Sequence, residues 1–285
     1  MKFAIIDGNK VEATKGSKGT CQGCGAEVIA KCGTRKIWHW AHKRKTDCDH
    51  WWESETEWHR TWKNQYDTNW QEISLIDKRT GEKHIADVKT SHNLVIEFQH
   101  SRIDPQERIS REHFYKNMIW IVDGTRLKRD YPRFLKCKMG GWENQIFYKT
   151  KNPNIYEVDL IDWCFNIDWL KSTVPVIFDF LGDGTFEDTE GLRDNLYCLF
   201  PQLGGDARVA EISRKAFLDS TTNGQWSSRS EKFMDDWIKQ NEILTQETIK
   251  KENENLNKLR AQNTYEFNRK LLAGKSPFKK GRQKF

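Results

Sequence analysis

The sequence predicts an α/β protein built around a helix, three strands, a second helix and a further strand, all between about residues 54 and 122. Two short apolar runs, 84–88 and 94–99, have the length and residue types of strands and are separated by a polar turn. The segment that begins at Asp104 has the residue types of a helix start. Elements of both kinds therefore alternate within one short stretch, which favours a mixed α/β fold over an all-helical or all-strand fold.

The first helix is expected from about residue 54 to 66, because aromatic residues recur every four positions at Trp58, Trp62 and Tyr66. Such a stripe is more typical of a buried face than of a platform for stacked bases. Residues 72–76 then form the first predicted strand of this region.

The second helix has a defined start. Asp104, Pro105 and Glu107 occupy the N-cap, first and third positions, where their side chains favour helix initiation. This helix is expected to end near Tyr115, and the apolar run 118–122 is the strand that follows it.

Two carboxylates fall on the neighbouring strands 84–88 and 94–99. Because side chains alternate along a strand, Glu97 and Gln99 share one face of the second strand. Asp87 interrupts an apolar stretch, where an unpaired ionised carboxylate is costly. A divalent metal ion is the favoured partner, and the alternative is that both acids are ordinary solvent-facing strand residues.

A second group of metal-ligand residues lies upstream. Cys21 and Cys24 have the spacing of a zinc knuckle, and His39 and His42 follow within reach of one tetrahedral Zn²⁺ ion. Cys48 and His50 compete as ligands, so the sequence leaves the fourth ligand open. The alternative is two free cysteines and two unrelated histidines.

Basic residues interleave with tryptophans around this knuckle. Lys43, Arg44 and Lys45 follow Trp40, a mixture that suits phosphate contacts and base stacking. The same run is also compatible with a solvated basic face.

Composition limits the class of protein. The chain has 285 residues and a formal net charge of +6, which is compatible with a polyanionic partner. No run approaches the roughly eighteen apolar residues of a membrane helix, and seven cysteines with one paired spacing argue against a disulfide framework. A cytoplasmic protein without membrane contact is expected.

Four segments are predicted. Residues 1–50 form a strand hairpin and zinc knuckle, 51–135 the α/β core, 136–222 a mixed region of unknown role, and 223–285 a helical extension with a basic tail. The third segment either extends the sheet of the core, shapes a substrate groove or binds a partner. A linker is expected at 221–224.

The element order and acid placement resemble the PD-(D/E)xK nuclease superfamily, and more narrowly the competence protein CoiA family. The resemblance rests on the motifs Thr56-Glu57-Trp58-His59 with Lys63, Ile85-Ala86-Asp87-Val88, Ile96-Glu97-Phe98-Gln99 with Ser101, Arg111 with Tyr115, and Ile119-Trp120. It includes the Cys-x2-Cys and His-aromatic-Ala-His pairs. It implies a restriction-endonuclease-like core with an N-terminal zinc knuckle, to which the composition of the C-terminal residues adds a helical C-terminal extension.

The resemblance also implies site residues. Asp87 and Glu97 would hold Mg²⁺ or Mn²⁺, and Gln99 stands where the superfamily usually has lysine. A neutral amide can orient water but cannot help to deprotonate it. Glu57 and His59 would be the contributions of the first helix to the site, with surface glutamate and core histidine as the alternatives. Further DNA contacts are expected at Arg102 and Arg111.

The expected function is that of a metal-dependent DNA nuclease with catalytic Mg²⁺ or Mn²⁺ and structural Zn²⁺. Its setting would be DNA uptake, recombination or phage defence, with a recombination or defence protein or a second copy of the chain as partner. One rival is a catalytically inactive nucleic-acid-binding or recruitment module. Another is an interaction scaffold built on the C-terminal helices.

Overall fold

The computed structural model describes residues 1–44, 48–49, 51, 54–78, 80–140, 145–182 and 191–274. The chain divides into two units, Met1–Ser230 and Glu231–Phe285. Lys45, His50 and the basic tail from Lys275 onward lie outside the described residues.

An antiparallel sheet of five strands forms the N-terminal part of the first unit. The strands are β1 (Phe3–Ile6), β2 (Asn9–Glu12), β3 (Lys18–Thr20), β4 (Glu27–Lys31) and β5 (His39–His42). They lie in the order β2-β1-β3-β4-β5, so that β1 and β2 form the predicted hairpin. Val28 and Trp40 pack in the small core of this sheet.

A mixed sheet of nine strands forms the centre of the first unit. Its strands are β6 (Gln71–Ile76), β7 (Lys83–Lys89), β8 (Val95–Gln99), β9 (Met118–Asp123), β10 (Phe147–Lys149), β11 (Ile155–Val158), β12 (Val176–Asp179), β13 (Asn195–Leu199) and β14 (Arg208–Ser213). The order across the sheet is β10-β11-β14-β13-β12-β9-β8-β7-β6. Strands β8, β9 and β12 run parallel to one another, and the other neighbours are antiparallel.

The helices are α1 (Glu57–Lys63), α2 (Pro105–Tyr115), α3 (Asp130–Lys138), α4 (Ile161–Cys164), α5 (Arg214–Thr222) and α6 (Gln225–Leu272). The start of α2 is confirmed, because the Asp104 carboxylate accepts the backbone N–H groups of Gln106 and Glu107. None of the described helices combines the length and apolar composition needed to span a bilayer.

Helix α1 is shorter than the sequence predicts. The Thr56 hydroxyl caps it at the start by accepting the backbone N–H of His59. After Lys63 the chain tightens into turns, with the backbone N–H of Tyr66 bonded to the carbonyl of Lys63. Trp62 and Tyr66 of the aromatic stripe are nevertheless buried, as expected for a core face, whereas Trp58 is only half-buried.

The predicted sequence of helix, three strands, helix and strand is observed as α1, β6, β7, β8, α2 and β9. Strands β10 to β14 belong to the same sheet, so residues 136–222 extend the sheet of the predicted core. The linker expected at 221–224 is wrong in extent. Thr221 is fully buried near the end of α5, and only Asn223 and Gly224 separate α5 from α6.

The position of β8 within the sheet determines the burial of its polar side chains. It lies between β7 and β9, and every residue from Val95 to Gln99 is buried. A strand covered on both faces places even its polar side chains inside the protein. Glu97 is therefore 2 % exposed, which excludes the alternative that it is a solvent-facing residue.

Candidate functional site

A cavity of 290 Å³ lies against strands β7 and β8 of the nine-stranded sheet. Its walls come from both sheets, from α1 and α2, and from residues between β5 and α1. The polar side chains that line it are His42, Cys48, Asp49, Glu55, His59, Lys63, Glu72, Asp87, Glu97, Gln99, Arg111 and Tyr115.

Three carboxylates form a row across adjacent strands in this cavity. The paired residues on either side place Glu72 of β6 opposite Asp87 of β7, and the β7–β8 register continues the row to Glu97. Such a row concentrates negative charge at one place, so the cavity requires compensating cations.

Asp87 and Glu97 bond to each other's strands. The backbone N–H of Asp87 donates to Glu97 Oε1 at 3.1 Å, and the backbone N–H of Phe98 donates to Asp87 Oδ2 at 3.0 Å. These bonds fix both carboxylates with respect to the backbone. The pair predicted from strand alternation is therefore held in one place, as the sequence indicates.

Lys63 supplies the first cation. Its Nζ lies 2.9 Å from Asp87 Oδ1 and 3.2 Å from Glu72 Oε1. Glu55 Oε1 is 3.4 Å away on the other side. Burial by itself would lower the pKa of Lys63, but its three carboxylate partners hold that pKa well above its ordinary value. Lys63 is therefore protonated at neutral pH.

Arg111 of α2 supplies the second cation. Its Nη1 lies 2.9 Å from Glu97 Oε2. Burial and the nearby charge of Asp87 nonetheless raise the pKa of Glu97 to about 8. A carboxyl group with this pKa is poised to exchange its proton for another cation.

A separate cluster of metal ligands adjoins the same cavity. The ligand atoms of Cys21, Cys24, His42 and Cys48 all lie within 4.8 Å of one another. Cys21 Sγ is 3.6 Å from Cys48 Sγ, and Cys24 Sγ is 3.3 Å from His42 Nε2. Three sulfurs and one imidazole nitrogen form a donor set typical of structural zinc. His42 and Cys48 also line the cavity, so the two sites are neighbours.

The knuckle has a tight local fold. The backbone N–H of Gly25 bonds to the carbonyl of Cys21 at 2.8 Å, and Gly25 has a φ of +73° that favours glycine. A Cβ atom at Gly23 would lie 3.0 Å from the side chain of Ile85. The glycines therefore let the knuckle fold closely against β7.

His39 is not part of this cluster. Residues three apart on a strand point to opposite faces, and both histidines lie on β5. His42 joins the cysteines, whereas His39 Nδ1 lies 2.8 Å from the carbonyl of Ile37. The prediction of His39 as a ligand is wrong, and Cys48, the competitor left open by the sequence, completes the set.

Comparison with known families gives two matches. The N-terminal domain of the competence protein CoiA matches residues 6–50, and the nuclease-like domain of CoiA matches residues 82–166. In these two segments the chain is CoiA-like. Together they cover just under half of its length. No curated protein and no solved structure matches the chain.

The two CoiA-like segments contain the whole cysteine–histidine cluster and part of the acidic cavity. The N-terminal match spans all four cluster residues, and the nuclease-like match spans Asp87, Glu97, Gln99 and Arg111. Lys63 and its partners Glu55 and Glu72 lie between the two matches. Lys63 belongs to a motif that carries the resemblance, and its position four residues after His59 on the same helix is the sequence signal that points to it.

Of the two residues that the first helix was expected to contribute to the site, His59 lines the cavity and Glu57 does not. His59 is buried in the cavity wall, where its Nε2–H donates to the carbonyl of Phe98 at 2.8 Å and its Nδ1 lies 3.0 Å from the Thr56 hydroxyl. It positions α1 against β8. Glu57 is exposed and does not line the cavity, whereas Glu55 does. Helix α1 begins at Glu57, so Glu55 precedes the helix and its direction is not set by the helical repeat.

Gln99 faces the cavity as predicted and is 3 % exposed. Its amide Nε2 donates to the carbonyl and hydroxyl oxygens of Ser101, each at 3.3 Å. These bonds orient the amide from the strand end. The cavity thus has an oriented amide on β8 and a lysine on α1.

The predicted DNA contacts are scattered. Trp40 is 1 % exposed and donates its indole N–H to the carbonyl of Val11, so the prediction that it stacks on bases is wrong. Arg111 is buried against Glu97. Lys43, Arg44 and Arg102 are exposed, and Lys43 lies 2.9 Å from Glu27 Oε2. Lys45 lies outside the described residues.

The acidic residues fit a divalent ion in a particular way. All four oxygens of Asp87 and Glu97 already accept a bond from a backbone N–H, Lys63 or Arg111. Each carboxylate oxygen has a second lone pair, and Mg²⁺ commonly uses one or two carboxylates together with water and substrate phosphate. The donor set suits such a site rather than a closed protein cage.

Proposed function

We propose that this chain is a Mg²⁺- or Mn²⁺-dependent nuclease of the PD-(D/E)xK type that hydrolyses phosphodiester bonds in DNA. The observation that carries the proposal is the cross-bonded pair of Asp87 and Glu97 in a cavity that also contains Lys63. The match to the CoiA nuclease-like domain over 82–166 supports it.

Asp87 and Glu97 are the residues that would hold the ion. The Glu97 carboxyl, whose pKa is about 8, gives up its proton when it binds a cation. A bound Mg²⁺ or Mn²⁺ ion supplies Lewis-acid activation of water and of the scissile phosphate. Arg111 keeps Glu97 aligned during this exchange.

Lys63 takes the place of the lysine that the superfamily usually has at the position of Gln99. Since Lys63 stays protonated, it acts as a fixed cation and hydrogen-bond donor beside Asp87, not as a base. Gln99 orients water or phosphate through its neutral amide. Lys63 on α1 thus supplies the positive charge, and Gln99 on β8 supplies the orientation of water or phosphate.

The Cys21, Cys24, His42 and Cys48 cluster is proposed to hold one structural Zn²⁺ ion. A four-ligand site leaves no open position for substrate, so its contribution is to fold the knuckle. Because His42 and Cys48 line the cavity, folding of the knuckle also completes one wall of the nuclease site.

Processing of incoming or recombining DNA in the cytoplasm, or phage defence, is the proposed setting. The description of both matches as competence protein CoiA supports the first of these. A recombination or defence protein, or a second copy of the chain, is the proposed partner.

The second candidate function is nucleic-acid binding without cleavage. It is favoured by Gln99 on β8, and by the fact that the four carboxylate oxygens are engaged by protein donors. In that case Lys63 and Arg111 would serve as permanent substitutes for the metal.

A metal-titrated cleavage assay on single- and double-stranded DNA and RNA decides between them. Asp87→Ala and Glu97→Ala are expected to abolish cleavage that depends on Mg²⁺ or Mn²⁺, whereas Asp159→Ala, which changes an exposed acid outside the cavity, is expected to retain it. Cleavage by both cavity variants at the unaltered rate would refute the site. Absence of cleavage by the unaltered protein with every metal would favour the binding module.

A further inference from the structure

A second, larger depression lies at the carboxyl ends of the three parallel strands. Its volume is 1120 Å³, and His100, Asp123 and Asp179 reach it from the ends of β8, β9 and β12. This edge of a parallel arrangement is where α/β proteins commonly bind ligands. Gln99 faces the acidic cavity and His100 lines the larger groove, so the two depressions are separate.

One wall of the groove is an aromatic ring held in place. Trp58 lines the groove, and its indole N–H donates to Asp179 Oδ2 at 3.0 Å. The same oxygen accepts the indole N–H of Trp62 at 2.8 Å. Arg214 pairs with the other oxygen of Asp179. Both oxygens of the buried Asp179 carboxylate thus accept bonds from side chains of the wall, and the bond to Asp179 restrains the orientation of Trp58.

The imidazole of His100 is also oriented. Its Nδ1 lies 2.8 Å from Asp123 Oδ2, and the other carboxylate oxygen accepts the Thr125 backbone N–H and hydroxyl. Burial would raise the pKa of Asp123, but the bonds from His100 and Thr125 hold that pKa below its ordinary value. Asp123 is therefore an anion that fixes His100 as an Nδ1–H donor.

Two cations complete the groove. Arg126 and Lys128 line it on the loop after β9, and neither forms an ion pair with another described residue. Both side chains reach solvent. Of the acids in the groove, Asp123 and Asp179 are engaged, and only Glu57 is exposed. The groove therefore offers positive charge beside a fixed aromatic face.

From this arrangement we infer that the groove binds a nucleotide, with the base stacked on Trp58 and the phosphate contacted by Arg126, Lys128 and His100. Stacking on an aromatic ring together with backbone contacts by cations is how proteins hold unpaired nucleotides. The volume exceeds what one nucleotide needs. The nucleotide is either free or part of a single strand, and binding here does not require cleavage in the acidic cavity.

The test measures binding of the full-length protein to a fluorescein-labelled twelve-residue oligothymidylate, in buffer without Mg²⁺ or Mn²⁺. The variant is Arg126→Ala with Lys128→Ala. The matched control is Lys149→Ala with Lys151→Ala, which removes the same charge from exposed positions outside the groove. Thermal melting establishes that both variants fold.

The groove variant is expected to bind at least tenfold more weakly than the unaltered protein, and the control less than twofold. The plot of log affinity against log salt should flatten by about 1.4 for the groove variant, since two phosphate contacts on a single strand are lost. Equal weakening of the two variants would overturn the proposal. This outcome is independent of whether the protein cleaves DNA.

Titration with thymidine 5′-monophosphate by calorimetry separates the two sources of the nucleotide. Saturable binding that the groove variant loses indicates a free-nucleotide site, and loss of oligonucleotide binding alone indicates a strand site. Trp58→Phe keeps an aromatic face but loses the bond to Asp179, so it is expected to weaken binding less than Trp58→Leu. If Trp58→Leu binds as well as Trp58→Phe, the stacking contact is refuted.

Discussion

Lys63 Nζ and Asp87 Oδ1 are 2.9 Å apart, joining the last residue of α1 to the middle of β7. The contact brings a cation to the acid pair from a helix, whereas the β8 side chain two residues after Glu97 is the neutral amide of Gln99. Both side chains of the pair are at least partly shielded from solvent, which strengthens their interaction.

Lys63→Met is expected to abolish cleavage and to lower the free energy of unfolding by about 3–5 kcal/mol, because it leaves three carboxylates without their shared cation. Activity assays and urea denaturation measure the two effects. Lys63→Arg, which keeps the charge, is the control for stability. Cleavage by Lys63→Met at the unaltered rate would show that Lys63 is only structural.

Adding Gln99→Lys to the Lys63→Met variant is expected to restore part of the cleavage, because the new ammonium group enters the same cavity from β8. In the unaltered background, Gln99→Ala should lower the rate and Gln99→Lys should preserve or raise it. Failure of rescue, with the double variant folded, would contradict the division of roles between these two positions.

One zinc ion per chain is expected, bound by the Cys21, Cys24, His42 and Cys48 cluster. Metal analysis should show that Cys48→Ser loses zinc, whereas His39→Ala retains it, since His39 lies on the other face of β5. Zinc loss should be accompanied by a lower melting temperature, because binding and folding are coupled. The reverse pattern would restore His39 as the ligand.

Because of the Glu72 carboxylate, the free energy of unfolding is expected to fall in acid. Glu72 accepts the backbone N–H groups of Lys2 at 2.6 Å and Phe3 at 3.0 Å, so it joins the N-terminal sheet to β6. Although burial would raise its pKa, Lys63 and the nearby amino terminus bring the pKa from 4.5 to about 2. Its contribution is therefore present above pH 4.5 and is lost as the pH falls toward 2.

The contribution is on the order of 3 kcal/mol at neutral pH. Glu72→Gln should remove it, so the difference in unfolding free energy between the two proteins should shrink as the pH falls below 4.5. Denaturant titrations at several pH values measure this. A difference that stays constant down to pH 2 would contradict the assignment.

Lys43→Ala with Arg44→Ala is expected to weaken DNA binding and to flatten its salt dependence, because fewer counterions are released. Lys149→Ala with Lys151→Ala is again the matched control. Removal of the tail that carries Lys279, Lys280, Arg282 and Lys284 should have a smaller effect. An unchanged salt slope for the first variant, with a large loss on tail removal, would reverse these roles.

Local sequence patterns predicted the elements on which the site depends. The Asp104 cap defined the start of α2, and the alternation in 94–99 placed Glu97 and Gln99 together. These predictions succeeded because capping and strand alternation depend on residues close together in the chain. The Cys21–Cys24 spacing is local in the same sense.

The errors have two physical origins. Whether the side chains of Trp40 and Glu57 are buried or exposed depends on which face of their strand or helix is covered. The neighbours that pack against that strand or helix decide this. The direction of the His39 side chain follows from the pairing of its segment as a strand, which puts His39 and His42 on opposite faces. Neither burial nor strand pairing is specified by the residue types alone.

The sequence by itself determined the acid pair, the Cys21–Cys24 part of the knuckle and the order of helix and strands around them, because each depends on local patterns of a few residues. Only the tertiary structure decided that Lys63 meets Asp87, that Cys48 joins Cys21, and that the cysteine–histidine cluster adjoins the acidic cavity. The first two contacts join residues 24 and 27 positions apart, and the third brings two separate sheets together. They therefore depend on long-range packing and charge compensation in a buried site.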